Sequence, residues 1–144
     1  ITGETVYIAA KHEVEADIRV VMRVGHIMPL TYGAHGKAIV AFLPQEERDR
    51  ALGEESLYFY GDPENVDGHR MSEELEECRA NGFAYDCSSP GINVVAAPIL
   101  GSGGSPVGFV EVFVLGSFDL AISSGPVVAE AGRALSRQLG AEMG

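Results

Sequence analysis

The order of elements in this sequence predicts an α+β domain, an antiparallel β-sheet flanked by helices. The prediction rests on strand pairing, helix placement and size. Strand-like stretches fall mostly in neighbouring pairs, the strongest being Asn93–Leu100 and Pro106–Leu115 across the loop Ser102-Gly103-Gly104-Ser105. Helix-like stretches stand between groups of strands rather than after every strand, which argues against a βαβ series. The 144 residues, 46% hydrophobic and 22% charged, suffice for one domain with a proper core.

Taken in order, Glu4–Ala10 is rich in β-branched and aromatic residues and reads as a strand. Lys11–Asp17 is a polar loop, and Ile18–Val24 is a second strand. The chain is organised around the next stretch, Thr31–Pro44. A polar turn carrying Gly33, Ala34, His35 and Gly36 runs into the apolar segment Ala38–Leu43, which stops at Pro44. The apolar run is too continuous for a surface helix and too short to span a bilayer, so it predicts a buried helix. The glycine-rich turn falls at its N-terminus, with Thr31 as a possible cap. A helix start offers unpaired N–H groups and a partial positive charge, which suit a small polar or anionic group. The plain alternative is an ordinary buried helix start.

Pro44 begins a second helix, Glu46 and Glu47 suit its first turn, and Gly53 closes it. Leu57–Tyr60 is a short aromatic segment and Gly61–Arg70 a surface loop. Ser72 reads as the N-cap of a further helix that Asn81-Gly82 ends. Phe83–Asp86 is a brief strand, and Cys87–Gly91 is a turn. A last helix is expected from about Pro126 to Leu139, with Val128, Ala131, Leu135 and Leu139 as its inner stripe.

The net charge of −11 and the lack of any basic run oppose nucleic-acid binding by this segment. Two cysteines, Cys78 and Cys87, are too few for a secreted disulfide framework and fit a reducing, cytoplasmic compartment. No apolar stretch reaches membrane-spanning length, no signal peptide is visible, and no membrane partner is expected. A chain beginning Ile1-Thr2-Gly3 is expected to be an excised part of a longer protein.

Several pieces stand in a particular order: Gly36-Lys37-Ala38 heading the buried helix, Leu43-Pro44 after it, Gly82 before a short strand, then Asp86, Pro90-Gly91, Ala96-Ala97-Pro98-Ile99 and a final helix ending at Leu139-Gly140. In this order and spacing the chain resembles, over nearly its whole length, the C-terminal effector-binding domain of the IclR family of bacterial transcription regulators. The resemblance implies a GAF-like fold that binds a small-molecule metabolite effector and pairs as a homodimer or homotetramer. It implies that residues 1–144 are the effector-binding domain. DNA contact would come only through an N-terminal winged helix-turn-helix domain, which this sequence lacks. Cytoplasmic localisation, no cofactor and no enzymatic activity go with it. Carried over residue by residue, the pocket takes the backbone of Ala34, His35 and Gly36. Its walls take Val20 and Met28, its loop Asp86 and Cys87, and its late strands Val94, Glu111 and Phe113. Two departures stand out. The join between Ile8–Lys11 and Ile18–Val24 is abrupt, and the stretch from Gly82 to Gly91 is shorter than the family's, with Cys87-Ser88 after the aspartate.

Glu111 is the most informative of these residues. Its strand alternates so that Phe109, Glu111 and Phe113 share a face. A carboxylate there is costly unless paired. It is read either as a pocket group for an effector or metal, or as a partner of Arg19 or Arg23. As a pocket group it disfavours a simple anionic keto acid and favours a neutral, cationic or aromatic effector. His35, Asp86, Cys87 and Glu111 could together form a mixed metal site, but they lack close ligand spacing; the plain reading of His35 is a helix-start histidine touching water. A thiol enzyme using Cys87 is the alternative function, and Asp86 beside it pushes the thiol the wrong way. Cys78 reads as a small core residue. A pure oligomerisation module is the other alternative. His12, His26 and His69 read as surface groups, and Gly101–Gly104 as a hairpin rather than a phosphate loop.

Overall fold

A computed structural model describes residues 1–13 and 22–142. The chain starts with β1 (Thr5–Tyr7), which pairs antiparallel with β2 (Ile27–Pro29), Val6 opposite Met28. β1 is thus shorter than the predicted strand at Glu4–Ala10. Of the strand expected at Ile18–Val24, Ile18–Val21 lies outside the described residues, and Met22–Val24 is not strand. The pairing role falls to β2 instead.

Two helices follow: α1 (Gly33–Val40) and α2 (Gln45–Leu52), the latter bounded by Pro44 and Gly53 as predicted. Next comes α3 (Gly68–Asn81), which ends on Gly82 in the left-handed region at φ 82°. Its N-cap is Asp67, not Ser72, because the Asp67 carboxylate accepts from the N–H groups of His69 and Arg70. β3 (Ala84–Ser89), β4 (Ile92–Leu100) and β5 (Pro106–Leu115) form an antiparallel sheet in the order β3-β4-β5. Cys87 therefore lies in β3, at a register shift between Asp86 and Ser89, rather than in a turn.

α4 runs from Phe118 to Gln138, beginning eight residues before the expected Pro126, which lies inside it. Ser117 caps it through Leu120 N–H. Its inner face is the predicted one at Val128 but otherwise differs. Ala121, Gly125, Val128, Ala129, Gly132 and Ser136 are buried, while Leu135 and Leu139 are exposed. Close approach explains this. A Cβ on Gly132 would stand 2.7 Å from Pro98 O, and one on Gly125 would stand 2.2 Å from the Phe83 ring. Small residues let the helix lie directly on the sheet, and Ser136 ties it down by accepting from Leu100 N–H.

The two faces of the sheet are covered differently. Val95, Ala97, Phe83, Tyr85 and Val110 pack under α4. Ala84 and Ala96 pack with Ala34 and Ala38 of α1 and with Leu75 and Cys78 of α3. Alternation along β4 separates the two sets, as the period of two requires. α1 is thus held between the sheet and α3, and Arg79 of α3 donates to the Ala41 carbonyl at its C-terminal end.

Candidate functional site at the start of α1

Thr31–Gly36 does not form a separate turn. Gly33, Ala34, His35 and Gly36 already belong to α1, and all are buried. Tyr32, not Thr31, holds the N-cap position, and no side chain caps the helix. The Thr31 carbonyl accepts Tyr58 N–H, while Gly33 N–H donates to the Tyr58 carbonyl. Gly33 takes φ 55°, a conformation that favours glycine. Gly36 is needed by the chain itself, since a Cβ there would lie 2.6 Å from the Thr31 carbonyl carbon. Among the described residues, the N–H groups of Ala34 and His35 find no acceptor. These are the unpaired donors of a helix start, next to the positive end of the helix dipole.

The His35 side chain is 1% exposed, so it does not touch water. Its ring stacks on Phe109 at 4.6 Å and faces Tyr32 at 5.9 Å. Nδ1 lies 3.4 Å from Glu111 Oε1, and Nε2 lies 3.4 Å from the Pro29 carbonyl. Glu111 projects from β5, opposite Ala96, with its side chain 9% exposed. Its partner is His35, not Arg23, and Arg19 lies outside the described residues. One row further along the same sheet face come Asp86, Val94 and Phe113, paired across the strands. Asp86 Oδ1 accepts from the backbone and hydroxyl of Ser88. Its Oδ2 lies 3.4 Å from where a Cβ on Gly33 would stand, so this carboxylate sits against the start of α1.

The structure thus brings Ala34, His35, Asp86 and Glu111 to one end of α1, with Val94 and Phe113 beside them on the sheet. Met28 is buried in a separate cluster with Val6 and Ile39. Val20 lies outside the described residues. Cys87 is exposed, and burial together with the Asp86 carboxylate pushes its thiol pKa up, which disfavours the thiolate. Among the described residues, no three His, Cys, Asp or Glu side chains converge as metal ligands. Beside Thr31 opens a cleft of about 540 Å³, lined also by Leu30, Ile39, Leu43, Glu47 and Tyr58 among others.

Unforeseen is a buried ionic network one turn into α1. Lys37 is 1% exposed, and its Nζ lies 2.8 Å from Glu74 Oε2 and donates to the Tyr85 carbonyl. Tyr60 donates its hydroxyl to Glu74, and Arg70 pairs with the other carboxylate oxygen. Lys37 and Arg70 both lie over the Tyr60 ring. Burial opposes the charged form of Glu74, but the Lys37 ammonium and the Tyr60 and Arg70 bonds outweigh it and hold its pKa below the ordinary carboxyl value. The available signal was a lysine heading the apolar run of a buried helix, since such a charge demands a partner.

An antiparallel sheet with helices on both faces, one of them starting bare against the sheet, defines an α+β domain. The family model for the C-terminal domain of the bacterial transcriptional regulator IclR matches residues 1–134, and the chain belongs to that family. The HTH-type transcriptional repressor AllR of Klebsiella pneumoniae is 27% identical over 155 residues, covering 97% of this chain and 57% of that protein. The IclR structure from Thermotoga maritima matches with a TM-score of 0.72 at 27% identity, covering 96% of this chain and 62% of that one. A double mutant of the PobR inducer-binding domain from Acinetobacter, in complex with 3-hydroxybenzoic acid, has the same fold. Its TM-score is 0.70 at 17% identity, over 94% of this chain and 83% of that one. The chain spans less than two thirds of the AllR and Thermotoga proteins it matches. No helix among the described residues is long and apolar enough to cross a membrane.

Proposed function

We propose that this chain is the small-molecule-sensing module of an IclR-type transcriptional regulator, acting in the cytoplasm as a paired domain. A metabolite docks at the start of α1, against the Ala34 and His35 amides. Its occupancy shifts the placement of paired domains, and through them DNA binding by a domain N-terminal to this one. A coupling of about 1–3 kcal/mol suffices to change operator occupancy several-fold or more. Family membership supports the regulatory role. The observation that carries the site is the pair of unpartnered amides beside Asp86, His35 and Glu111.

The site favours a particular ligand chemistry. Glu111 spends one contact on His35 and keeps acceptor capacity for a ligand N–H or O–H. Asp86 adds a second carboxylate, which disfavours a simple keto acid. The Tyr32–His35–Phe109 stack favours a flat, apolar ring. A neutral, cationic or aromatic effector follows. The thiol-enzyme alternative has the raised Cys87 pKa against it.

A thermal-shift screen tests the reading, using metabolites sorted into cationic, neutral and anionic sets. At least one neutral, cationic or aromatic compound should raise the melting temperature, and Glu111→Leu should abolish that shift. A protein stabilised by no compound, or by aliphatic carboxylates alone, contradicts it.

A further inference from the structure

The cleft of about 540 Å³ beside Thr31 is separate from the site at the start of α1, since none of Ala34, His35, Asp86 and Glu111 lines it. Its size is that of a small-molecule site. Leu30, Ile39, Leu43 and Pro106 give it an apolar lining. Glu47, Arg50 and Ala51 line it from one side of α2, and Glu54 continues that row one turn on. Part of its wall is held in place by backbone. Tyr58 N–H donates to the Thr31 carbonyl at 3.2 Å, and the Tyr58 carbonyl accepts Gly33 N–H at 3.1 Å.

Two observations mark the cleft as built for a ligand. Thr31 is 6% exposed, and its hydroxyl has no hydrogen-bond partner among the described residues. No unpartnered polar side-chain atom among them is fully enclosed, so this hydroxyl keeps an opening, and the cleft is the space that Thr31 lines. A polar group kept almost wholly out of water without a partner is unfavourable, and a ligand that bonds it removes that penalty. The charges around the cleft are also uncommitted. Glu4, Glu47, Glu54 and Arg50 all line it, and none has an ion-pair partner among the described residues. Carboxylates thus outnumber the guanidinium, in a chain of net charge −11, and their field favours a cation.

We propose that this cleft is a second ligand site, for a small hydrophobic amine. The apolar body lies against Leu30, Ile39 and Leu43, and the ammonium group donates to the Thr31 hydroxyl within the field of the surrounding carboxylates. The site goes beyond the sensing role and does not depend on it. That role is judged separately, on compounds whose thermal shift Glu111→Leu abolishes.

A ¹H–¹⁵N titration of the 144-residue chain with tryptamine, and with indole-3-propionate as its carboxylate counterpart, tests the proposal. Tryptamine should give saturable shifts centred on Thr31, Leu43, Glu47 and Tyr58, at concentrations where indole-3-propionate gives none. Thr31→Val keeps the side chain's shape, removes the hydroxyl and should weaken tryptamine roughly tenfold. Glu47→Lys with Glu54→Lys should weaken it several-fold and flatten its salt dependence. Both of these positions are exposed, so the double variant decides even where Thr31→Val disturbs folding. Failure of tryptamine to saturate at millimolar concentrations overturns the proposal, as does equal or tighter binding of indole-3-propionate. Shifts centred on Ala34 and His35 overturn it too, since the amine then belongs to the start of α1. Unchanged tryptamine affinity in the double variant overturns it equally.

Discussion

Lys37 and Glu74 meet at 2.8 Å with both side chains out of solvent, joining the middle of α1 to α3. Lys37→Met should cost about 3–5 kcal/mol, because it strands a buried carboxylate. Lys37→Met with Glu74→Leu should cost much less, because neither charge is left alone. Urea unfolding of the double-mutant cycle measures both. The pair also sets an acid limit. Glu74 titrates below the ordinary carboxyl value of 4.5 in the folded state, so its stabilisation is complete above that value and is lost as pH falls through the folded pKa. Glu74→Gln should flatten the acid side of the stability–pH curve.

The glycines of the helices make a graded prediction. Gly36→Ala and Gly132→Ala would each drive a Cβ into backbone, at 2.6 Å and 2.7 Å, and should destabilise by about 1–3 kcal/mol or more. Gly103→Ala in the β4–β5 loop meets nothing within 4 Å and should lie within about 0.5 kcal/mol of wild type. Thermal melts of the three variants give the ranking.

His35→Ala removes a ring stacked at 4.6 Å on Phe109 and takes away the partner of Glu111. It should cost about 2–4 kcal/mol. Glu111→Leu should cost less, since His35 keeps the Pro29 carbonyl. Unfolding midpoints of the two variants decide the order, and the reverse order would show that Glu111 is held by something other than His35.

Neither cysteine should behave as a catalytic thiol. Cys87 is exposed but its pKa is raised by burial and by Asp86, so at pH 7 it should alkylate more slowly than free cysteine. Burial pushes Cys78 up to about 12, so it should label only in unfolded protein. Timed iodoacetamide labelling with mass spectrometry reads both sites at once.

The sequence made the β4–β5 hairpin, α2 and the Gly82 stop legible, because alternation, proline and glycine act locally there. Two helix starts were not legible. Gly33 and Gly36 look like turn residues, yet Gly36 is glycine because α1 crosses the Leu30–Thr31 backbone. Pro126 looks like a first helical residue, yet Ser117 caps the helix further back. On α4 the apolar spacing places Val128 inward correctly but not Leu135 and Leu139, because close packing on the sheet selects Gly125, Ala129, Gly132 and Ser136 instead. At the site, alternation placed Glu111 beside Phe109 and Phe113, but its partner His35 comes from a distant element. Lys37 and Glu74 were likewise joined only by the fold. Such pairings leave no local pattern to read.

The central claim is that a metabolite is held at the start of α1. A ¹H–¹⁵N titration of the chain with a stabilising compound tests it most directly. The account predicts the largest saturable shifts at the Ala34 and His35 amides, with further shifts around Asp86 and Glu111. Shifts confined to the cleft beside Leu43, Glu47 and Tyr58, with Ala34 and His35 unmoved, would contradict it.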